Sequence, residues 1–220
     1  MIFKLNKLIT NEKYLLDSLK HKQFVTYANV NSFRVGGNFR NEYNFYADGK
    51  PVALLFSLLI GRRVKRLTAL SIDSFWVNVL KGYRVIIVGY EDKLEGILMA
   101  KNIASEIKID HIIHGYYSLE ILKQGIEDIL VVEEVPTIIF LGIGQPNQEK
   151  LLSMLNAWNG KVSIVCVGAY FKQRVKLNNE FFPFMDSLGL TPIIRFWNKP
   201  LTLLKRTFYA LLFVPFRIRS

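Results

Sequence analysis

Short apolar runs and amphipathic stretches alternate through the middle of the chain. Four runs rich in valine and isoleucine have the length of buried strands, and they occupy residues 83–89, 109–114, 137–142 and 161–168. Between successive runs, apolar residues recur at helical spacing, in residues 91–107, 119–129 and 148–158. The alternation predicts an α/β fold in which a parallel sheet is covered by helices on both faces.

The N-terminal third carries weaker signals. Residues 24–28 form a candidate strand, and residues 51–60 predict a helix, since Pro51 suits a first helical turn and Gly61 follows the last one. Asp48 and Gly49 therefore lie in the turn that leads into this helix. Beyond residue 180, prolines interrupt a mostly apolar, basic segment, so we divide the chain into a domain of residues 1–180 and an appendage of residues 181–220.

Composition narrows the classes of function. Half of the 220 residues are hydrophobic, which excludes a disordered chain, and the single cysteine, Cys166, excludes an internal disulfide. The net charge of +11 favours anionic partners such as phosphates, nucleic acid or acidic lipid. No acidic residue occurs after Asp186, whereas six basic residues do: Arg195, Lys199, Lys205, Arg206, Arg217 and Arg219.

The appendage combines this charge with apolar residues. Leu201, Leu204, Phe208 and Leu211 share one helical face. A basic amphipathic helix suits a membrane interface, and packing against the domain is the alternative. No segment has the roughly 18 consecutive apolar residues of a spanning helix, and no signal-peptide core follows the first residues. We therefore expect a chain that touches a membrane surface without crossing it.

One turn has the composition of a phosphate-binding loop. Gly142 and Gly144 follow a predicted strand and precede a predicted helix, where glycines let backbone N–H groups approach a phosphate. Asn147 replaces the third glycine of a dinucleotide fingerprint, so NAD is only weakly supported, and a purely structural turn is the alternative. Gln148 and Glu149 at the helix start either cap it or accept hydrogen bonds from a nucleobase or sugar.

Asp48 is the acidic residue that best suits a catalytic role. A carboxylate in a loop beside apolar segments can act as a general base, while Asp-Gly is also common in turns and at helix starts. The sequence contains no Asp-x-Asp pair, and His111 and His114 lack a third ligand nearby. We therefore expect no metal site.

Six short motifs follow one another between residues 24 and 207. They are Thr26-Tyr27-Ala28-Asn29 with Ser32-Phe33, Ala47-Asp48-Gly49, Gly115-Tyr116-Tyr117, residues 141–150 (LGIGQPNQEK), residues 167–171 (VGAYF), and the set Arg195, Pro200 and Arg206. Together they resemble the motifs of the WecG/TagA/CpsF family of glycosyltransferases. The resemblance implies a Rossmann-like sheet with a basic, apolar, helical C-terminal appendage.

The resemblance also implies an activity. Family members transfer a hexose, typically N-acetylmannosamine or a related sugar, from a UDP donor to an undecaprenyl-diphosphate-linked sugar. They act with inversion, without metal or other cofactor, at the cytoplasmic face of the membrane, in surface polysaccharide biosynthesis. The expected partners are thus the donor, the lipid-linked acceptor and an anionic membrane surface, with a second copy of the chain as a further one.

Residue roles follow from the matched positions. Asp48 falls on the family's general base, and Asn29 falls near the donor or acceptor. The remaining expected substrate-binding residues are Arg66, Gln148, Glu149, Gly142, Gly144, Arg195 and Arg206. Lys172 and Lys199 stand where the family pattern has acids, which leaves the donor sugar open, and Asp73 is a second acid whose share of the chemistry is open.

Two other classes of function compete with catalysis. The altered positions favour, as an alternative, a non-catalytic UDP-sugar-binding module of a polysaccharide assembly complex. The charge alone would also suit a nucleic-acid-binding protein. We expect no nucleic-acid partner, because the charge lies beside apolar residues and no recognition motif occurs.

Overall fold

A computed structural model describes residues 2–35, 40–41, 43–67, 73–90, 109–132, 135–168, 170 and 218–219. The strands are β1 (Ile2–Lys4), β2 (Leu8–Ile9), β3 (Phe24–Ala28), β4 (Arg40–Asn41), β5 (Asn44–Ala47), β6 (Arg84–Tyr90), β7 (Ile109–His114), β8 (Thr137–Leu141), β9 (Ser163–Cys166) and β10 (Ile218–Arg219). The α-helices are α1 (Glu12–Lys20), α2 (Val30–Val35), α3 (Lys50–Ile60), α4 (Asp73–Val79), α5 (Leu119–Val132) and α6 (Asn147–Met154).

The main sheet has seven parallel strands in the order β2-β5-β3-β9-β8-β6-β7. Every residue of β3, β8 and β9 is buried, as expected for strands inside a parallel sheet. All five strands predicted from the sequence are present, and the expected Rossmann-like α/β arrangement is confirmed. The predicted helix at residues 91–107 lies outside the described residues.

Sequence patterns missed several short elements near the N-terminus. Strands β2 and β5 have two and four residues, too few to show a period, and β1 joins β4 and β10 in a second, three-stranded sheet. Helix α1 begins after Asn11, whose side chain accepts hydrogen bonds from the backbone N–H groups of Lys13 and Tyr14. These elements depend on pairing and capping more than on periodicity.

One predicted helix is shorter than its apolar pattern suggested. The pattern predicted a helix over residues 148–158, but α6 ends at Met154 and a 3₁₀ turn, Asn156–Trp158, follows. The Trp158 indole N–H donates to Glu127 Oε1 on α5, 3.2 Å away. The last apolar residue of the pattern is thus held by a neighbouring helix.

A second, smaller apolar cluster lies beside the main core. Phe3 contacts Phe33 and Phe45, with ring centroids 5.6 and 4.7 Å apart, and α3 contributes its buried residues Val52, Ala53 and Phe56. Ile218 of β10 packs against the same cluster. The last described residues of the chain therefore lie beside α3.

Four glycines bring neighbouring strand ends into close contact at the carboxyl edge of the sheet. A Cβ atom on Gly115, after β7, would overlap Cα of Gly89 in β6. A Cβ on Gly89 would lie 2.8 Å from the carbonyl carbon of Gly142, after β8, and one on Gly142 would lie 2.9 Å from the carbonyl oxygen of Gly168, after β9. We call these four residues the glycine edge; their strands are adjacent in the sheet.

We predict that Gly115→Ala destabilises the protein by about 1–3 kcal/mol, because its Cβ would meet backbone atoms that have no room to move. The matched control is Gly125→Ala in the middle of α5, where a Cβ meets nothing within 4 Å. This change removes a helix-interior glycine and should stabilise the protein by up to about 1 kcal/mol. Urea denaturation measures both; equal free energies of unfolding for the two variants would contradict the close packing.

Candidate functional site

The predicted site residues on the described strands converge on one edge of the sheet. Asn29 directly follows β3, Asp48 directly follows β5, and Gly142 directly follows β8. Because all these strands are parallel, their carboxyl ends lie at the same edge, where ligands of open α/β sheets bind. Ala28 pairs with Ala47 in the register of β3 and β5, so Asn29 and Asp48 are neighbours at adjacent strand ends.

Backbone hydrogen bonds hold Asp48 and Arg66 at this edge. The N–H of Asp48 donates to the carbonyl of Ala28 at 2.8 Å, and the N–H of Leu67 donates to the carbonyl of Ala47 at 3.0 Å. The half-buried residue Arg66 therefore lies beside the carboxyl end of β5, the strand that Asp48 directly follows. The N-cap of α3 is Gly49, whose φ of 116° suits glycine, so Asp48 is not in the N-cap position.

The Asp48 carboxylate acts on two buried tyrosines. Burial raises the pKa of Tyr27 well above its ordinary value, and the charges of Glu149 and Asp48 raise it further. Burial, followed by the charge of Asp48, does the same to the pKa of Tyr46. Tyr27 is thus a common neighbour of Asp48, which follows β5, and of Glu149, which lies in α6.

Asn29 is held in place by Ser32. The Asn29 Oδ1 atom accepts from the backbone N–H of Ser32 at 3.0 Å, and the backbone N–H of Asn29 donates to Ser32 Oγ at 2.9 Å. Ser32 Oγ also lies 2.7 Å from Gln145 Oε1, to which its hydroxyl can donate. Helix α2 and the loop after β8 are therefore joined through two side chains, Ser32 and Gln145.

Gln145 and Glu149 continue this network into the protein. Gln145 Nε2 donates to the carbonyl of Tyr27 at 3.1 Å and to Glu149 Oε1 at 2.9 Å. Glu149 Oε1 also accepts from Thr26 Oγ1 and from Gln148 Nε2, both at 2.9 Å. One carboxylate oxygen thus binds donors from β3, from the β8–α6 loop and from α6.

Gln148 and Glu149 lie inside the protein, each with an exposed fraction of 0%. Burial raises the pKa of Glu149 above its ordinary value, while the hydrogen bonds from Gln148, Gln145 and Thr26 oppose the rise. Among the described residues, Gln148 Oε1 and Glu149 Oε2 are buried without a hydrogen-bond partner. Buried polar atoms of this kind are rare and call for a functional or structural explanation.

Some expected residues cannot be compared with the structure. Arg195 and Arg206 lie outside the described residues, and for Asp73 only its place at the start of α4 is described. Cys166 is free and buried in β9, as predicted. Within the described ranges, no three His, Cys, Asp or Glu side chains are grouped closely enough to hold a metal ion.

A comparison of the chain with family models finds a match over nearly the whole chain. The model of the WecG/TagA/CpsF glycosyl transferase family matches residues 5–219. The chain belongs to this family. A search among curated proteins gives no match. The chain is therefore placed among glycosyltransferases by a match over nearly its whole length.

Sequence reasoning about this glycosyltransferase assigned no role to three residues of the network, although all three lie within the motifs. Thr26 and Ser32 belong to the motif around Asn29, and Gln145 belongs to the motif of residues 141–150, but short or neutral polar residues give no indication of the partner that they bind. Thr26 alone had an indication, since a polar residue inside a buried strand needs a partner. In the described ranges of the glycosyltransferase, no helix is long and apolar enough to cross a membrane.

We predict that Glu149→Gln changes how stability depends on pH. The folded glycosyltransferase holds the Glu149 proton more tightly than the unfolded chain, because the pKa is raised in the folded state. The contribution of Glu149 to the free energy of unfolding therefore falls as pH rises from the ordinary value of 4.5 through the folded-state pKa. Glutamine keeps the accepting oxygen but has no such dependence.

Urea denaturation of wild type and Glu149→Gln, at pH values from about 4 to about 8, measures this difference. The advantage of wild type over the variant should shrink as pH rises. Glu120→Gln removes an exposed carboxylate from α5 and serves as the control. Parallel pH curves for wild type and Glu149→Gln would contradict the assigned direction.

Proposed function

We propose that this glycosyltransferase moves a hexose from a UDP-sugar to a prenyl-diphosphate-linked sugar, with inversion and without a metal, in surface polysaccharide biosynthesis. The observation that carries the proposal is the position of Asp48. This half-buried carboxylate lies at the carboxyl edge of the sheet, next to Asn29, with Arg66 returned to the same strand end. A base and a cation at one ligand-binding edge suit an attack by a hydroxyl and the departure of a phosphate.

The donor diphosphate would lie over the glycine edge. Glycines 89, 115, 142 and 168 have no side chains of their own at the ends of four adjacent strands, and the side chains of Ile143 and Tyr27 lie beside Gly115 and Gly168. Gly144 has a φ of 80°, and α6 begins three residues later with the positive end of its dipole at this edge. These features support binding of a pyrophosphate by backbone N–H groups.

The chemical step is a single displacement at the anomeric carbon. The acceptor hydroxyl oxygen forms a bond to this carbon, its proton passes to the Asp48 carboxylate, and the bond to the diphosphate oxygen breaks with its electron pair. UDP leaves with that added negative charge. Arg66, together with Arg195 and Arg206 of the appendage, would stabilise this charge, because guanidinium groups match phosphate oxygens in pairs.

Metal independence rests on the sequence and on the family. Nucleotide-sugar enzymes that use Mg²⁺ or Mn²⁺ commonly present paired carboxylates, and the chain has no Asp-x-Asp. The basic appendage of residues 181–220 would supply the cations in their place and hold the protein on the cytoplasmic membrane face. The donor sugar is N-acetylmannosamine or a related hexose.

We predict that Asp48→Asn lowers turnover by about 10²- to 10⁴-fold, the usual contribution of a general base, and leaves the affinity for UDP nearly unchanged. Acceptor-dependent release of UDP in the presence of EDTA measures turnover, with a panel of UDP-hexoses and a prenyl-diphosphate-linked sugar. Asp17→Asn, an exposed acid on α1, is the matched control and should retain full turnover.

The outcomes of this experiment test the base, the transfer and the metal independence separately. Unchanged turnover in Asp48→Asn would exclude Asp48 as the base and direct attention to Asp73. UDP binding without transfer by the wild-type protein, for every donor and acceptor tried, would contradict catalysis and favour the non-catalytic binding module. Loss of activity in EDTA that Mg²⁺ restores would contradict metal independence.

A further inference from the structure

Helix α3 is apolar on both of its faces. Its inner residues Val52, Ala53 and Phe56 are buried in the smaller apolar cluster. On its outer side, Leu54, Leu58 and Leu59 are exposed by 62%, 74% and 48%. We call these three residues the leucine ridge. A surface helix normally presents polar residues to water, so a helix that is apolar all round is suited to a second apolar partner.

The charged residues of the segment that carries the leucine ridge, residues 50–67, are all basic, and one of them, Lys65, is paired with Glu12. Lys50 begins α3, and Arg62 and Arg63 follow its last turn; all three are exposed. No acidic residue occurs between residues 49 and 67. Leucines flanked by lysine and arginine, with no acid among them, match an anionic bilayer surface, where acyl chains receive the leucines and phosphates receive the cations.

Exposed apolar residues elsewhere have different surroundings. Ile121 and Val131 of α5 are 56% and 76% exposed. Their helix also carries Glu120, Glu127 and Asp128, so an anionic surface would repel it. The combination of exposed leucines and purely basic flanks therefore distinguishes α3 from α5, and α5 provides a control surface of the same apolar type.

Helix α3 carries the leucine ridge and begins next to the candidate site. Asp48 lies two residues before Lys50, at the start of the helix. Ile218 packs against the cluster behind α3. We propose that the leucine ridge docks the domain itself on an anionic membrane and thereby brings the Asp48 edge to the bilayer surface. The link to a lipid-borne acceptor rests on the proposed function; the docking does not.

Co-sedimentation of the full chain with vesicles tests the docking. The vesicles contain equal parts of phosphatidylglycerol and phosphatidylcholine, and pure phosphatidylcholine vesicles serve as the neutral comparison. Leu54→Gln/Leu58→Gln should lower the partition coefficient on anionic vesicles at least about tenfold, which corresponds to about 1.4 kcal/mol. Ile121→Gln/Val131→Gln should bind like wild type. Arg62→Gln/Arg63→Gln should weaken binding to anionic vesicles only.

Three results would overturn the proposal. The first is unchanged vesicle binding by Leu54→Gln/Leu58→Gln. The second is a lower molar mass of this variant in light scattering, because a second copy of the chain would then cover the ridge in the wild-type protein. The third is a large fall in its melting temperature, because the chain's own residues would then cover the ridge; an uncovered ridge predicts a melting temperature close to that of wild type.

Turnover separates this proposal from the proposed function. Leu54→Gln/Leu58→Gln should keep wild-type turnover on a short, water-soluble prenyl-diphosphate acceptor and lose it on the same acceptor sugar carried in anionic vesicles. If wild type uses neither acceptor but binds vesicles through the ridge, the proposed function fails and the docking stands. If both acceptors are used equally by the variant, the docking fails and the proposed function stands.

Discussion

Close approach of backbones at the carboxyl edge of the sheet is the constraint on which the rest of the structure depends. Four adjacent strands end at glycines 89, 115, 142 and 168, and a methyl group on three of them would overlap backbone atoms of the next strand end. These four positions therefore have no Cβ atoms, although the side chains of Ile143 and Tyr27 approach Gly115 and Gly168. Everything proposed for the donor needs this surface, because a diphosphate is bound by N–H groups that it can reach.

The other part of the carboxyl edge, at the ends of β3 and β5, carries polar side chains. Beyond Gly168, whose added Cβ would lie 2.8 Å from Tyr27 Oη, the strand ends carry Asn29 and Asp48. Glu149 Oε1 connects this part to the glycine edge, since it accepts from Thr26 below Asn29 and from Gln145 in the loop after Gly142. A buried carboxyl that accepts three hydrogen bonds ties β3 to the loop after β8, and its burial raises its pKa.

The outer surface of α3 links this edge to the environment of the protein. Asp48 and Gly49 form the turn directly before α3, and both faces of this helix are apolar. The inner face of α3 packs into the smaller apolar cluster. The outer face and its basic flanks give the domain a surface of its own for anionic lipid, separate from the basic residues of the appendage.

Long, strongly apolar strands were the part of the fold that the sequence determined. Strands β6 to β9 and helices α3 and α5 were predicted because burial on both faces, or on one helical face, leaves a period in the sequence. The short motifs likewise identified the family and positioned Asp48, Asn29 and the Gly142 turn. Strands β2 and β5 were missed, because two to four residues show no period and are stable only through pairing with a neighbour.

Tertiary structure alone decided which distant residues meet. Thr26 and Glu149 are 123 residues apart, and Ser32 and Gln145 are 113 apart, so no local pattern records their hydrogen bonds. The burial of Gln148 and Glu149, the outward side of α3 and the end of α6 at Met154 also follow from packing between elements. A sequence specifies the period of each element, whereas its neighbours determine which side chains are covered and which donors they reach.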